Sequence, residues 1–515
     1  VDWDTTQNLM IEGDNLEVLK LLQKSYAGKV KLIYIDPPYN TGKDFVYPDD
    51  FRDNIGNYLK LTGQVDGGGQ KLSSNTEASG RFHTDWLNMM YPRLKLARNL
   101  MRSDGLLFVS IDDSELSALR FVCDEVLGEE NFVATFVWEK RTNRENRRMV
   151  SSRHDYIVCY CKNLQGTEEP IRLLPMNEAA EARYDNRDND PRGPWKSDPA
   201  TAQAGHGTKG QFYILTAPNG RQHTLPSGRC WVFTQEVMQQ AIDDGRIWFG
   251  QDGNGVPRIK TYLHAKERGL TPETLWFAAE VGTTEYAKNF VKDLFSDTAV
   301  FDTPKPVSLV EHMLKLGTID GHVLDFFAGS GTTAHAVMSQ NAADGGNRRF
   351  ILVQLPEPLD PQNSDQKTAA DFCTKLGKPL TIAELTKERL RRAARKVRDD
   401  NPLFSGDLGF RVFKLASSNI RAWEPDRDNL SQALLDSVEH LKSDRTEQDI
   451  LYELLLKLGI DLCVPIQTRQ IAGKAVHAIG GGVPGRVGHD RQRRQRLGCD
   501  RVDAGQGGVT FSVVA

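Results

Sequence analysis

The chain has 515 residues, of which 39% are hydrophobic and 26% are charged, and its formal net charge is −4. This length exceeds one ordinary domain, and the composition is typical of a soluble globular protein. No apolar run is long enough to cross a bilayer and no signal-peptide pattern opens the chain, so we expect neither a membrane span nor a secretory leader.

The first 162 residues alternate short apolar runs with helical patterns. The predicted strands are residues 8–12, 31–35, 105–111, 132–138 and 155–161. A helix follows the first strand to about residue 22, and two more are predicted at 84–103 and 114–127. This alternation is typical of βαβ units and predicts a mostly parallel sheet. We expect the long polar loop at 40–83 to gate a substrate, because loops of this length are uncommon unless they are functional.

The second predicted strand runs directly into Asp36-Pro37-Pro38-Tyr39. Two prolines end the strand abruptly, and α/β sheets bind ligands beyond the carboxyl ends of their strands. The turn brings a carboxylate, a carbonyl and an aromatic ring around one small volume, which suits a planar base that carries an amine. Asp36 and the Pro37 carbonyl would accept its N–H groups, and Tyr39 would stack on its face. Taken alone, the tetrapeptide is better explained as a proline-stiffened surface loop, so a second motif is needed.

The net charge of −4 requires that any DNA-binding surface be a local basic cluster. The best cluster lies between two predicted strands, in a loop with the cations Lys140, Arg141, Arg144, Arg147 and Arg148. A basic helix at 386–398 is either a second cluster or a plain solvated face. The seven cysteines lack metal-ligand spacing, so we predict no metal site and a reducing, cytoplasmic setting.

A second motif lies far downstream, where an apolar strand runs into Asp325 and a glycine-rich turn that leads into a helix. Gly329 and Gly331 let the backbone approach a ligand closely, and the helix N-terminus offers free N–H groups to an anion. The turn differs from the dinucleotide fingerprint because Ala334 stands at the third glycine position, which is a permitted variant. Taken alone, the turn indicates only an ordinary nucleotide-type loop.

The two motifs together, in this order, resemble those of the amino-methylating DNA methyltransferases of the β group. Within that group the chain resembles the modification subunits of type III restriction-modification systems over residues 5–480. The resemblance implies a doubly wound, mostly parallel S-adenosylmethionine-dependent methyltransferase sheet in permuted order. It implies an inserted target-recognition domain and a C-terminal α/β extension as well. We therefore expect the two loops to meet at neighbouring strand ends in one shared cleft.

The resemblance also implies a division into domains. The catalytic half would span 1–162, the target-recognition insertion 163–296, the cofactor-binding half 297–400 and an incomplete C-terminal domain 401–482. Residues 483–515 form an irregular Arg- and Gly-rich tail, which we interpret as out of frame, with a genuine basic tail as the alternative. Since the chain begins with Val1, we expect the natural start to lie upstream or to use an alternative codon.

The resemblance assigns residues to the two ligands. Asp36, Pro37, Pro38 and Tyr39 would be catalytic. The residues implied for S-adenosylmethionine are Asp14, Lys305, Asp325, Phe326, Phe327, Ala328, Gly329, Ser330, Gly331, Thr332, Gln354 and Glu357. Among these, Lys305 would neutralise the cofactor carboxylate, and Gln354 or Glu357 would hold the ribose hydroxyls. Gln354 departs from the family pattern, in which an acidic residue more often follows that strand.

The expected activity is methylation of the N6 amine of adenine in double-stranded DNA by a base-flipping, dimeric bacterial enzyme located at the nucleoid. Its partner would be a restriction subunit with ATP-dependent helicase and nuclease activity. Methylation of cytosine N4 is an alternative, although those enzymes more often carry Ser at the position of Asp36. A truncated, non-catalytic DNA-recognition subunit is the other alternative.

Overall fold

The computed structural model describes residues 2–41, 82–145, 149–265, 269–420, 441–471, 474–480 and 509–513. The chain divides into two compact units. One comprises residues 1–172 with 273–515, and the other comprises Leu173–Pro272. Within the described part of the chain, no helix is both long and apolar enough to span a membrane.

The described helices are α1 (Asn15–Tyr26), α2 (Phe82–Leu100), α3 (Leu116–Leu127), α4 (Glu178–Glu181), α5 (Gln235–Asp243), α6 (Ala278–Val281), α7 (Thr284–Leu294), α8 (Val307–Gly317), α9 (Thr332–Asp344), α10 (Lys367–Lys375), α11 (Ile382–Asp400) and α12 (Glu447–Leu458). The described strands are β1 (Leu9–Glu12), β2 (Val30–Ile35), β3 (Met101–Ile111), β4 (Phe132–Glu139), β5 (His154–Cys161), β6 (Trp195–Pro199), β7 (Thr201–Gln203), β8 (Leu215–Thr216), β9 (Gln222–His223), β10 (Arg229–Trp231), β11 (Ile247–Trp248), β12 (Arg258–Tyr262), β13 (Leu275–Trp276), β14 (Asp320–Asp325), β15 (Asn347–Gln354), β16 (Arg411–Ser417), β17 (Ile466–Ile471), β18 (Lys474–Ile479) and β19 (Val509–Val513).

Ten of the described strands form one sheet in the larger unit, in the order β13-β4-β5-β3-β2-β14-β15-β1-β16-β19. The pairings of the six central strands from β3 to β16 are all parallel. β4 and β5 add antiparallel pairings at one side, and β19 adds one at the other. The predicted mostly parallel α/β sheet is therefore confirmed, with β2 early in the chain lying beside the much later β14.

Helices cover both faces of this sheet. Successive strand residues point to opposite faces, and Ile33 and Ile35 of β2 lie in the apolar core formed with α1, α2, α3 and α12. Leu32 faces the other way, next to Gly317 at the end of α8. Burying one fully exposed side chain of this kind contributes about 1.5–3 kcal/mol. The doubly wound arrangement thus follows from a central strand that is apolar on both faces.

The compact unit Leu173–Pro272 is narrower than the predicted insertion at 163–296. The difference arises because β13, at Leu275–Trp276, pairs with β4 and so belongs to the main sheet. This smaller unit has its own three-stranded sheet, in the order β11-β12-β6, and its own apolar core around Trp231 and Met238. The assignment of this segment to target recognition stays a prediction.

The predicted irregular tail and gating loop fall mostly outside the described residues. Residues 42–81 and 481–508 are among those not described. Where the tail is described, Val509–Val513 forms an edge strand antiparallel to β16 rather than an irregular segment, because its backbone completes the hydrogen bonding of that strand.

Candidate functional site

The predicted site residues converge at one edge of the main sheet. Strands β2, β14, β15 and β1 are consecutive and parallel, so their carboxyl ends open at the same edge. Asp36 follows β2, Asp325 ends β14, Gln354 ends β15 and Asp14 follows β1. The expectation that the two motifs meet at neighbouring strand ends is confirmed by the direct pairing of β2 with β14.

One carboxylate oxygen of Asp36 accepts a hydrogen bond from the protein, and the other accepts none from the described residues. Oδ2 accepts a hydrogen bond from Lys305 Nζ at 2.5 Å. Oδ1 is buried and has no hydrogen-bond partner among the described residues. Trp86, on α2, fixes the turn, because its indole N–H donates to the Pro38 carbonyl at 2.7 Å. A buried acceptor without a partner is costly, so the open oxygen marks a place where a ligand donor fits.

Tyr39 completes the turn as a half-buried ring beside this carboxylate. Its hydroxyl is a buried group with no partner in the described part of the chain. Burial, reinforced by the negative charge of Asp36, raises the pKa of Tyr39 well above its usual value, so the phenol stays neutral. The ammonium of Lys305 lies 4.9 Å from the ring centroid. The turn therefore offers an uncharged aromatic surface next to an acceptor.

The residue after the tetrapeptide anchors the turn from the other side. Asn40 adopts a left-handed conformation with φ 59°, which asparagine tolerates better than most residues. Its Nδ2 donates to Glu115 Oε1 at 2.6 Å, and His83 Nδ1 lies 2.6 Å from the same oxygen. Glu115 is 1% exposed. The turn is thus held rigidly in place by groups that the sequence motif does not include.

The glycine-rich loop is closed around Asp325. Its Oδ1 accepts from the Phe327 N–H at 3.0 Å, and its Oδ2 accepts from the Thr333 hydroxyl at 2.5 Å. Burial raises the pKa of Asp325 to about 7. The Gly329 N–H donates to Gln354 Oε1 at 2.6 Å, which ties the loop to the end of β15. Both Asp325 oxygens therefore shape the loop, and Gln354 supports it.

Arg389 on α11 braces the same loop from behind. It is fully buried, and its Nη1 donates to the Ser330 hydroxyl and, at 2.9 Å, to Thr332 Oγ1. Its Nε and Nη2 are buried without a partner among the described residues. Burial lowers the pKa of Arg389 to about 9, so the side chain remains a cation near pH 7. A buried cation without a carboxylate partner creates a positive potential directly behind the loop.

We expect Arg389→Met to weaken binding of S-adenosylmethionine about tenfold, because charged hydrogen bonds of this kind contribute about 1.5–3 kcal/mol. Methionine fills similar space but leaves the Ser330 and Thr332 hydroxyls without their donor. Isothermal titration calorimetry measures the effect. Arg391→Met is the control, since Arg391 lies on the same helix in a half-exposed ion pair with Glu388. Equal affinities of the two variants would contradict this role of Arg389.

The remaining predicted cofactor residues line the same edge. Asp14 caps α1, accepting from the Glu17 N–H at 3.1 Å, and lies 3.6 Å from a guanidinium nitrogen of Arg93. Glu357 lies just beyond β15, where burial raises the pKa of its carboxyl. Gln354 also donates to the Leu355 carbonyl at 3.1 Å. Of the two residues predicted for the ribose, Gln354 is thus engaged with the protein.

The two loop phenylalanines are core residues at this edge. Phe326 is 1% exposed and Phe327 is 9% exposed, and their ring centroids are 5.3 Å apart. The Phe326 carbonyl accepts from Asn15 Nδ2 at 2.7 Å, and the Ala328 N–H donates to Val353 at 3.1 Å. These bonds fix the loop between α1 and β15.

The predicted DNA-binding loop is only partly described. Lys140 is engaged in a 2.5 Å ion pair with the buried carboxylate of Asp155. Arg141 lies 3.3 Å from Glu145, with 43% of its side chain exposed. Arg144 lies in the same loop, whereas Arg147 and Arg148 fall outside the described residues. The loop borders a cavity of about 470 Å³ lined by Arg141, Thr142, Asn143, Arg144, Glu145, Thr283 and Glu285.

Three residues of this site escaped the sequence interpretation. Asp155 lies at the start of β5, close enough to Asp36 and Lys305 for their charges to influence the pKa of its carboxyl. Glu115, at the N-terminus of α3, supports the turn that contains Asp36. Arg389, on α11, supports the glycine-rich loop. An acidic residue at the first position of a predicted apolar strand was the available signal for Asp155. No signal in the sequence distinguished Arg389 from its exposed neighbours.

Comparison with known proteins identifies the family of this chain. The family model described as DNA methylase matches residues 30–355. The StyLTI Mod subunit of Salmonella typhimurium, a type III restriction-modification enzyme, is 39% identical over 80% of this chain and 61% of its own length. The EcoP15I Mod subunit of Escherichia coli is 33% identical over 92% of this chain and 75% of its own length. The EcoPI Mod subunit of Escherichia phage P1 is 33% identical over 79% of this chain and 65% of its own length. The chain thus spans between three fifths and three quarters of these relatives, and it belongs to the DNA methylase family.

Proposed function

We propose that this chain is a site-specific DNA methyltransferase that transfers a methyl group from S-adenosylmethionine to the N6 amine of adenine. It would be the modification and recognition subunit of a type III restriction-modification system, like the relatives named above. The observation that carries the proposal is the open, buried Oδ1 of Asp36 beside a neutral aromatic ring, one strand away from the glycine-rich loop.

The chemistry requires a better nucleophile than an ordinary exocyclic amine, whose lone pair is delocalised into the ring. Asp36 Oδ1 and the Pro37 carbonyl accept the two N–H groups, which favours a pyramidal nitrogen with a localised lone pair. These acceptors are aimed at the atom where positive charge develops, so they stabilise the transition state. Tyr39 stacks on a base that has been flipped out of the duplex. S-adenosylmethionine, when bound, supplies the electrophilic methyl group.

The loop residues fit this cofactor. The backbone from Ala328 to Gly331 curls at the N-terminus of α9, and the cation Arg389 lies behind it, which together suit the cofactor's carboxylate. Glu357 offers a carboxylate with no side-chain hydrogen bond among the described residues, and this suits the ribose hydroxyls. Asp14 at the end of β1 suits the adenine amine. Asp325 acts on the loop rather than on the ligand.

The proposed partners follow from the family and from the charges. Double-stranded DNA would contact the basic loop and the unit Leu173–Pro272, whose mixed polar and aromatic content suits the reading of base edges. A second copy of the chain and a restriction subunit complete the assembly. The enzyme works in the bacterial cytoplasm, at the nucleoid.

The double variant Arg141→Ala/Arg144→Ala is expected to bind DNA more weakly and with a smaller salt dependence. Each phosphate contact contributes about one unit to the slope of log K against log salt concentration, so the slope should fall by about two. Fluorescence anisotropy with a labelled duplex measures it. Arg395→Ala/Arg398→Ala removes two exposed cations from α11 and serves as the control. A slope for the loop variant equal to that of the wild type would exclude the loop from the DNA interface.

Transfer of tritiated methyl groups to DNA tests the proposed function. We expect incorporation into duplexes that contain adenine and none into duplexes of guanine and cytosine alone. Incorporation into the adenine-free duplex would instead support methylation of cytosine N4, which the family also includes. DNA binding without any transfer would support a non-catalytic recognition subunit.

A further inference from the structure

Lys305 lies between the two halves of the site rather than beside the glycine-rich loop alone. Its segment leads into α8 between the buried Pro304 and Pro306, which restrict its backbone. Its carbonyl accepts from Thr332 Oγ1 at 3.2 Å, at the start of α9, while its ammonium reaches Asp36. The side chain is 12% exposed.

We propose that Lys305 is a positioning residue that orients the Asp36 carboxylate for the target amine, and that it is not the residue that neutralises the cofactor carboxylate. This inference rests on the proposed methyltransferase function. A free carboxylate rotates about its terminal bond between equivalent orientations. Since Lys305 holds Oδ2 at 2.5 Å, Oδ1 is left in one fixed direction as the open acceptor.

A second ion pair lies close enough to Lys305 for their charges to interact. Asp155, 4% exposed at the start of β5, is bonded to Lys140 at 2.5 Å. Burial raises the pKa of Asp155, while the nearby cations Lys140 and Lys305 lower it and Asp36 raises it again. The four groups therefore form an alternating series of charges, Lys140, Asp155, Lys305 and Asp36. If the Lys305 ammonium moved to the cofactor carboxylate, it would lose its favourable interactions with both Asp36 and Asp155.

Another cation lies directly behind the cofactor loop. Arg389 bonds directly to Ser330 and Thr332 of the cofactor loop, and its remaining N–H groups have no acidic partner among the described residues. Lys305, in contrast, has its charge matched by Asp36. The geometry thus separates the two cations, one for the carboxylate that accepts the base and one for the cofactor loop.

The test compares Lys305→Met and Lys305→Arg with the wild type in kcat at saturating S-adenosylmethionine and in calorimetric Kd for this cofactor. We expect Lys305→Met to lower kcat about thirtyfold, since misplacement of a reacting group by a fraction of an ångström is costly, and to leave Kd within about threefold. Lys305→Arg keeps the charge and should recover much of the lost kcat. A Kd raised about tenfold with kcat retained would overturn the inference in favour of the carboxylate role.

The chain provides a matched control pair, in which the lysine lies on the strand that leads to Asp36. Lys31 at the start of β2 bonds to Asp104 at 3.0 Å, with 12% and 30% of the two side chains exposed, against 12% and 27% for Lys305 and Asp36. Lys31→Met removes a similar ion pair at the opposite edge of the sheet, and its kcat should stay near wild type. If kcat falls equally in both variants, the effect is general destabilisation and the inference fails. A wild-type chain that methylates no DNA overturns the proposed function, and the inference with it.

Discussion

Replacing Asp36 with alanine is expected to lower kcat for methyl transfer about a hundredfold to a thousandfold, the usual cost of removing one preorganised group at a transition state. The variant loses the acceptor for the target amine and leaves only the Pro37 carbonyl. Binding of S-adenosylmethionine should remain within about threefold of wild type, because the glycine-rich loop is held by Asp325, Gln354 and Arg389 and not by Asp36.

The measurement is single-turnover transfer of tritiated methyl groups together with calorimetric titration of the cofactor. Asp36→Asn is the companion variant, because it keeps the shape of the side chain and one acceptor but loses the charge opposite Lys305. Asp104→Asn is the control, since it changes a carboxylate that is similarly paired with a lysine at the other edge of the sheet. Near-normal transfer by Asp36→Ala would remove the basis of the mechanism.

The parts of the site that could be predicted from the sequence are those encoded by neighbouring residues. The apolar run before Asp36 and the one before Asp325 each signal a buried strand, and proline and glycine signal the turns that follow. Parallel strands of an α/β sheet open at one edge, so two such turns were expected to share a cleft. The structure confirms that the two turns follow neighbouring strands, through the pairing of β2 with β14.

The supporting residues could not be predicted, because their partners are distant in the chain. The basic pattern at 386–398 was interpreted as a DNA-binding or a solvated face. In the structure Arg389 is fully buried and Lys387 is 3% exposed. Lys387 pairs with Glu12 at 2.8 Å and Glu384 at 2.5 Å. Helical periodicity alone does not reveal which cations find buried acceptors on other elements.

Lys305 illustrates the same limit for a residue that was identified. The family pattern drew attention to it, but the role implied was contact with the cofactor. Its observed partner, Asp36, lies in the turn after β2, 269 positions away in the chain. Only the structure shows that the Lys305 ammonium pairs with Asp36, whereas the Arg389 guanidinium bonds to the hydroxyls of the glycine-rich loop.

Gly331→Val is expected to weaken S-adenosylmethionine binding about a hundredfold or more, which corresponds to about 2.7 kcal/mol. Gly331 has φ +81°, a left-handed conformation that costs about 1–3 kcal/mol for other residues. A Cβ there would lie 2.6 Å from Leu390 Cδ1 and 3.1 Å from Thr386 Cγ2. Relief of these contacts requires α11 to move away from the loop. That movement would break the 2.6 Å bond from the Thr386 hydroxyl to the Gly329 carbonyl, and the Arg389 bonds with it.

Gly345→Ala separates backbone strain from this steric effect. Gly345 follows the last residue of α9, the helix that Gly331 precedes, and has φ +68°. No atom of the described residues lies within 4 Å of its Cβ position. That variant should lose about 1–2 kcal/mol of stability in urea denaturation and bind the cofactor like the wild type. Gly331→Val should lose both stability and affinity, because its side chain enters the contact between α11 and the loop. If both variants bind S-adenosylmethionine equally well, the loop does not need its close contact with α11, and the support assigned to Arg389 is wrong as well.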